Sequence, residues 1–300
     1  MNFKEIIGNA EVKEYLNKSI MQNNILHSYL FIGTEGIGKA LIAKEFSKQI
    51  LCLKNENLCE CKSCISFEGN NHPDFLFIDT DETSIKVESV REVIDKIYEK
   101  PILSSKKVII INNCDKMTVE AQNCFLKTLE EPPEYIVIIL ITSNENLILN
   151  TIRSRCMAVK FHNIKDDELL NYCKEVLEYT NISNNLIKSF GGSIGKAIKL
   201  KNFKEKYDEI ENLVLNLEQV SIIELLKNKK IFDKENIFDI LDYLIVCLYS
   251  KINDNSNYIK CIDHVNDCIK RLHAYSNFDM TIDNLLFNMW EELNESSNRC

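Results

Sequence analysis

A glycine-rich loop limits what the first part of the chain can fold into. The apolar segment SYLFI (residues 28–32) leads into GTEGIGKA (residues 33–40, here called the glycine loop), and a segment with helical periodicity follows. This is the G-x-x-x-x-G-K pattern in the strand–loop–helix context that gives it meaning. Backbone N–H groups in such a loop can surround a phosphate, and the helix N-terminus adds positive potential. The residues expected to shape the loop and reach the phosphates are Gly33, Gly36, Gly38 and Lys39.

Strand-like and helix-like segments alternate up to about residue 163. Further apolar segments are FLFI (75–78), VIII (108–111), YIVIILI (135–141) and MAVKF (157–161). Alternation of this kind predicts an α/β fold, with a parallel sheet covered by helices on both faces. Beyond residue 163 we find only helical periodicity. We therefore predict three domains: an α/β domain at 1–163, a small helical domain at 164–204 and an all-α domain at 205–300.

Three positions that normally hold metal or activate water carry the wrong side chains. Ala40 stands after Lys39, where a Ser or Thr hydroxyl would bind Mg²⁺. The VIII strand ends in Asn112 and Asn113, although Mg²⁺ prefers carboxylate oxygens and an amide cannot act as a general base. The nearby acid, Asp115, is expected to cap the following helix. The pattern predicts a nucleotide-binding fold that does not hydrolyse ATP.

Charge and composition exclude several classes of protein. The net charge is −9, with 45% hydrophobic residues, so the chain can bury large cores and is not disordered. The negative balance argues against a free-standing, zinc-containing DNA-binding protein, because such proteins hold phosphates with their own basic surface. No apolar run approaches a membrane span, and the N-terminus lacks a signal core. We expect a cytoplasmic protein.

Four of the 12 cysteines are clustered in CLKNENLCECKSC, residues 52–64. Four thiolates within so short a segment suit tetrahedral Zn²⁺, which predicts a metal site at Cys52, Cys59, Cys61 and Cys64. Two alternatives remain: a partly occupied site, or His72 in place of one thiol. The other eight cysteines, among them Cys124, Cys173 and Cys247, are expected to be reduced, buried, small apolar residues.

Three segments together resemble a known family. GTEGIGKA, KVIIINNCDKMTVEAQNCFLKTLEEPP (107–133) and NTIRSRC (150–156) are similar to the clamp-loader subunits of bacterial DNA polymerase III, within the AAA+ ATPases. The delta-prime branch of the family is the most similar. The resemblance covers about the first 200 residues, whereas the C-terminal third matches in length and helical character only. It implies an AAA+ domain, a lid and a helical collar that joins a ring of subunits.

The resemblance assigns a role to the arginine of the S-R-C motif. In clamp loaders this arginine projects into the nucleotide site of the neighbouring subunit, and here it is Arg155. An arginine finger supplied in trans stabilises charge on the transferring phosphate, which a planar guanidinium suits well. Arg153 is implied as a weaker, supporting contact. In the cysteine segment, the family usually has two residues between the second and third cysteines, but this chain has only Glu60.

The resemblance also implies two phosphate sensors. The first lies where the YIVIILI strand ends, at Thr142, Ser143 and Asn144. The second is an arginine on the lid helix, but this chain has Gly195 at that position, with Lys196 next to it. The missing arginine is a further departure from a working ATPase.

The expected function is that of an ATPase-silent, structural subunit at one end of the clamp-loader arc. The implied partners are the gamma/tau motor subunits and the delta subunit in a hetero-pentamer, the sliding clamp, and primer–template DNA within the complex, with no membrane. The implied cofactor is zinc, and the binding of ATP or ADP stays open. The alternative is a gamma/tau-like motor subunit that binds and hydrolyses ATP itself, which the intact loop from Gly33 to Lys39 favours.

Overall fold

A computed structural model of the chain describes residues 6–54, 59–79, 84–179, 182–200 and 204–294. Two compact units are present: Met1–Glu168 with Ser193–Gly195, and Leu169–Gly192 with Lys196–Cys300. The predicted zinc segment at 52–64 and all three predicted domains include some residues outside the described ranges. The predicted domain boundaries at 163 and 204 stay predictions.

The first unit is built on five parallel strands in the order β2-β3-β4-β1-β5. Their bounds are β1 Ser28–Ile32, β2 Phe75–Ile78, β3 Lys107–Ile111, β4 Ile136–Thr142 and β5 Met157–Lys160. The three central strands β3, β4 and β1 consist almost entirely of buried residues, because both of their faces are covered. The predicted parallel sheet is confirmed.

Helices cover both faces of this sheet. Their bounds are α1 Ala10–Met21, α2 Lys39–Leu51, α3 Lys62–Glu68, α4 Val87–Tyr98, α5 Val119–Glu130 and α6 Asn150–Arg153. Strand residues point alternately to the two sides. Leu30 and Ile109 belong to the core beneath α4 and α5. Tyr29, Phe31 and Ile110 belong to the core beneath α1 and α2.

Beyond β5, the described residues contain helices and no strand. Their bounds are α7 Asp166–Glu175, α8 Asn184–Ser189, α9 Ile194–Leu200, α10 Lys204–Asn216, α11 Ile222–Lys227, α12 Ile237–Lys251, α13 Tyr258–His273 and α14 Phe278–Asn294. In the second unit, α12 packs against α8, α10 and α13. It buries Tyr243 and Leu244 almost completely. No helix among the described residues is long and apolar enough to cross a membrane.

Candidate nucleotide site and cysteine cluster

The glycine loop joins the end of β1 to the start of α2, at the carboxyl edge of the sheet. Its first residue is tied to the neighbouring strand, since the Gly33 N–H donates to the Thr142 carbonyl oxygen over 3.3 Å. Gly36 (φ 78°) and Gly38 (φ 93°) both have left-handed backbone conformations, which glycine adopts without strain. The predicted loop residues therefore lie where the carboxyl ends of two central strands meet.

The Lys39 side chain is turned into the loop. The residue is only 7% exposed, and its Nζ donates to the carbonyl oxygens of Gly33 at 2.5 Å and Thr34 at 2.7 Å. Burial lowers the pKa of Lys39 to about 8, although the carboxylates of Asp115 and Glu35 act in the opposite direction. The ammonium group thus satisfies the loop's own carbonyls, and it would have to leave them to reach a phosphate.

A short segment at the start of α9 is packed on the glycine loop. The Gly195 N–H donates to the Gly36 carbonyl oxygen over 2.9 Å. A Cβ atom added to Gly36 would overlap Ser193 Oγ and come within 3.1 Å of Gly195 Cα. The predicted second-sensor position therefore lies directly against the loop, but its residue has no side chain to offer a phosphate.

The two amides that end β3 are held by a carboxylate that sequence analysis missed. Asn112 Nδ2 donates to Asp79 Oδ2 over 3.0 Å, and Asn113 Nδ2 donates to Asp79 Oδ1 over 3.2 Å. Asp79 directly follows β2, which is the neighbour of β3. The available signal was an acid at the end of a predicted parallel strand. Each oxygen of this carboxylate accepts a hydrogen bond from an amide.

Asp115 does not cap α5, so that prediction is wrong. It lies in a short 3-10 helix, Cys114–Lys116, where its Oδ2 accepts a hydrogen bond from Ser143 Oγ at 2.9 Å. Thr118 caps the helix instead, because it immediately precedes α5 and its Oγ1 can accept from the Ala121 N–H. Asp115 Oδ1 is buried and has no hydrogen-bond partner among the described residues.

The predicted first sensor is built into the turn after β4. Thr142 is fully buried, and its Oγ1 accepts a hydrogen bond from the Asn144 N–H over 3.0 Å. Asn144 Oδ1 in turn accepts from the Asn146 N–H over 3.1 Å. The backbone carbonyl of Thr142 is thus bonded to the glycine loop, and its hydroxyl stabilises the turn after β4.

Arg155 lies at the opposite edge of the sheet from the glycine loop. Its carbonyl oxygen accepts a hydrogen bond of 2.7 Å from Ser28 Oγ, at the first residue of β1. Gly33 follows Ser28 by five positions, which corresponds to about 16 Å of extended strand. The length of β1 thus separates the backbone of Arg155 from the loop of its own chain.

The Arg155 side chain has defined partners at that edge. Its Nη2 forms an ion pair of 2.5 Å with Glu130 Oε1, at the last residue of α5. Its Nη1 donates to the Thr151 carbonyl oxygen over 2.8 Å. Arg153 forms a separate ion pair of 2.5 Å with Glu145. The two arginines of the motif therefore bind different acids.

The four cysteines of the predicted metal site form a compact group, here called the cysteine cluster. The Sγ atoms of Cys52, Cys59, Cys61 and Cys64 all lie within 4.8 Å of one another. Tetrahedral zinc with Zn–S distances of about 2.3 Å places its sulfurs about 3.8 Å apart, so a small contraction completes the geometry. The thiols come from the end of α2 and the start of α3.

Hydrogen bonding within the cysteine cluster lowers the pKa of one thiol and raises the pKa of another. Burial alone would raise the pKa of Cys61, but hydrogen bonds from Cys64, Leu53 and Cys59 outweigh it and lower the pKa to about 6. Burial, followed by hydrogen bonds to Cys61 and Cys52, raises the pKa of Cys64. One thiol in the cluster is therefore readily ionised.

His72 lies outside the group of four thiols and bonds to other residues. Its Nδ1 accepts from the Asp74 N–H at 3.0 Å, so Nε2 carries the proton and faces Ser63 Oγ at 2.8 Å. The structure thus groups the four thiols without His72, and the choice of ligands stays a prediction. The missed residue is Asp74, which is fully buried and accepts backbone N–H bonds from Ile102, Leu103 and Ser104 at 2.6–2.7 Å.

Every cysteine that the structure describes is a free thiol. Burial of the scattered ones is confirmed for Cys173 and Cys247, whereas Cys124 is half-buried and Cys300 lies outside the described residues. Burial raises the pKa of Cys173 to about 11 and that of Cys247 to about 12. These thiols are therefore unreactive packing residues.

Comparison with known proteins gives consistent matches. The profile of the family described as "DNA polymerase III, delta subunit" matches residues 8–165. DNA polymerase III subunit delta' of Buchnera aphidicola subsp. Schizaphis graminum is 31% identical over 257 residues, covering 83% of this chain and 77% of that protein. DNA polymerase III subunit tau/gamma of Haemophilus influenzae is 31% identical over 207 residues, or 66% of this chain.

The chain covers only part of several relatives. It spans 30% of the Haemophilus influenzae tau/gamma subunit and 49% of a Buchnera aphidicola gamma subunit. Among solved structures, a DNA polymerase III gamma subunit-related protein from Thermotoga maritima has a TM-score of 0.53 and 20% identity, covering 94% of this chain and 99% of that one. This similarity is in the fold alone. It confirms the predicted architecture, in which an α/β domain is followed by a helical region.

Proposed function

Because this chain belongs to the DNA polymerase III delta-subunit family, we propose that it is a structural subunit of the clamp loader of that polymerase. In this role it does not hydrolyse ATP. It supplies Arg155 to the ATP site of a neighbouring motor subunit, and the assembly opens the sliding clamp and places it on primed DNA. The observation that carries the proposal is the separation of Arg155 from its own glycine loop by the length of β1.

The loss of hydrolysis is supported by the residues around the glycine loop. Ala40 offers no hydroxyl to a metal, and Asn112 and Asn113 offer amides that are bonded to Asp79. Among the described residues, the two positions that directly follow β3 carry amides, which are poor ligands for Mg²⁺ and cannot take a proton from water. ATP or ADP bound here would be a static ligand, held by Lys39 and the loop's N–H groups.

The role of Arg155 in trans is supported by where its chain segment is anchored. Ser28 fixes its carbonyl at the amino edge of the sheet, and Glu130 fixes its guanidinium. A finger that cannot serve its own site can remain useful only to another subunit. A guanidinium brought to a developing phosphate charge in this way is worth about 10³–10⁵ in turnover at the site it serves.

Zinc is the proposed resident metal, at the cysteine cluster. Among the described residues, the group consists of four thiols alone, which suits a structural zinc site in which all coordination positions are filled by protein. Such an ion has no part in the reaction. It would link the C-terminal end of α2 to the start of α3, and the glycine loop lies at the other end of α2.

The proposed partners are the gamma/tau motor subunits, the delta subunit, the sliding clamp and primer–template DNA, in a hetero-pentamer. We assign residues 164–204 to a lid and residues 205–300 to a collar that joins the other subunits. The all-helical character of α10 to α14 supports this assignment, since helices associate through side-chain packing.

A motor subunit of the gamma/tau type is the second candidate. It is favoured by the complete glycine-and-lysine pattern from Gly33 to Lys39, and by identities of 31–34% to tau/gamma and gamma subunits. In that case the chain alone would hydrolyse ATP, and Lys39→Ala would abolish the hydrolysis.

The two candidates are separated by ATPase assays on the chain alone and on a clamp loader reconstituted with its motor and delta subunits. For the structural subunit, we expect no turnover by the chain alone and a lower rate for the complex with Arg155→Ala. Lys39→Ala serves as the control, and it should leave the rate of the complex near that of the wild type. Equal rates for wild type and Arg155→Ala complexes would remove the finger role.

A further inference from the structure

We infer that Glu130 is a positioning residue for Arg155, holding the guanidinium in the orientation in which it meets the neighbour's phosphate. This inference rests on the proposed function of Arg155 as a finger in trans. It adds a second residue, on a different element of the fold, to the part of the site that this chain supplies.

The contact itself is a direct ion pair at the surface. Arg155 Nη2 lies 2.5 Å from Glu130 Oε1, and the side chains are 33% and 48% exposed. Both groups are open enough for a neighbouring molecule to reach them, and solvent weakens the pair as a source of stability. The ion pair therefore serves mainly to orient the guanidinium, because the Arg155 side chain is long and flexible and its terminal atoms need a fixed partner.

The position of Glu130 is electrostatically unfavourable without that partner. Glu130 is the last residue of α5, where unpaired carbonyl groups carry partial negative charge and a carboxylate is disfavoured. Glu131 follows directly, and Pro132 and Pro133 prevent the helix from continuing. The guanidinium of Arg155 compensates this concentration of negative charge, so each residue of the pair stabilises the placement of the other.

The pair leaves Arg155 able to bind a phosphate. Among the described residues, its guanidinium contacts Glu130 through Nη2, and Thr151 and Ser154 through Nη1. These contacts account for three of its five N–H donors. A phosphate oxygen can be bound by the others while the ion pair stays in place. The geometry therefore fits a carboxylate that steadies the finger, and the pair need not break for the finger to act.

A second ion pair on the same segment provides a matched comparison. Arg153 and Glu145 are also joined by an Nη2–Oε1 distance of 2.5 Å. This pair is similar in chemistry and exposure, with side chains that are 36% and 27% exposed, but it does not involve the finger. Glu145→Gln removes it without touching Glu130 or Arg155.

The test uses the reconstituted clamp loader and measures kcat and KM for ATP with wild type, Arg155→Ala, Glu130→Gln and Glu145→Gln chains. The difference between wild type and Arg155→Ala defines the Arg155-dependent rate. We expect Glu130→Gln to lose at least half of that rate with KM unchanged, since a finger acts on the transition state. Glu145→Gln, which removes only the partner of the supporting Arg153, should lose a smaller share of that rate than Glu130→Gln does.

A double variant separates positioning from a general structural effect. If Glu130 acts through Arg155, the Glu130→Gln/Arg155→Ala complex should be no slower than the Arg155→Ala complex. Glutamine keeps the size of the side chain, and size-exclusion chromatography checks assembly for every variant. An unchanged or increased rate with Glu130→Gln, while Arg155→Ala slows the complex, would overturn this inference alone. No effect of Arg155→Ala would instead refute the proposed function.

Discussion

The Lys39 ammonium group lies 2.5 Å from the backbone carbonyl oxygen of Gly33, so the lysine of the glycine loop is bonded to the loop that carries it. A second bond, to the Thr34 carbonyl, completes the arrangement. Among the residues that the structure describes, no carboxylate is in direct contact with this buried charge. This arrangement has a measurable cost, because burial disfavours the charged form of an amine.

Stability should rise with pH because of Lys39. Its folded-state pKa is about 8, against an ordinary value of 10.5. Between these values the unfolded chain binds more protons than the folded chain, so raising the pH favours folding. From pH 7 to pH 9.5 we expect the wild type to gain about 2 kcal/mol of unfolding free energy relative to Lys39→Met. Urea unfolding followed by circular dichroism at both pH values measures this, and a difference that does not change with pH would contradict it.

The bonds from Asn112 and Asn113 to Asp79 predict the effect of restoring an acid at the end of β3. Asn112→Asp removes a donor and places two carboxylates together, so we expect a loss of about 1 kcal/mol of unfolding free energy. The double variant Asp79→Asn/Asn112→Asp re-forms the hydrogen bond with donor and acceptor exchanged, and should recover most of the loss. A double variant that is less stable than Asn112→Asp would show that the bond is not the cause.

Gly36→Ala should destabilise the first unit more than an ordinary glycine substitution does. The new Cβ would overlap Ser193 Oγ, and the left-handed backbone adds a cost of its own. We expect a loss of about 2–3 kcal/mol, of which about 1–2 comes from the backbone. Gly191→Ala is the matched control, because Gly191 also has positive φ but its Cβ would meet nothing within 4 Å. Equal losses in the two variants would argue against the packing of Ser193 on the loop.

Zinc content should depend on each thiol of the cysteine cluster. The wild type is expected to contain one zinc per chain by elemental analysis, and Cys61→Ser should contain much less than one. The variant should also unfold at a lower temperature, since a bound ion stabilises the fold that holds it. Cys124→Ser, outside the cluster, should keep its zinc. A wild type purified without zinc that takes up none on addition would refute the site.

The sheet could be predicted because its strands are apolar on both faces and are separated by strong loop and proline signals. The VIII and YIVIILI segments became β3 and β4 almost residue for residue. The cysteine cluster could be predicted as well, because its four thiols lie close together in the sequence. Short helices such as α3 were missed, because a helix of seven residues carries too little periodicity.

The contacts of the candidate site were harder to predict because they join residues far apart in the sequence. Asp79 meets Asn112 and Asn113 only after β2 and β3 pair. Glu130 meets Arg155 only after α5 and the segment before β5 reach the same edge of the sheet. The cap of α5 was misassigned because Asp115 and Thr118 are both good capping residues, and only the 3-10 turn excludes the first.

If Arg155 serves a neighbouring subunit as proposed, the length of β1 sets a direction of assembly. A subunit with its phosphate loop at one edge of the sheet and its arginine at the other can share a site only with a subunit stacked head to tail against it. Contacts of that kind are heterologous, so a row built from them has two different ends. A chain whose phosphate loop is bonded to its own lysine contributes one working end, which suits a terminal place in the row.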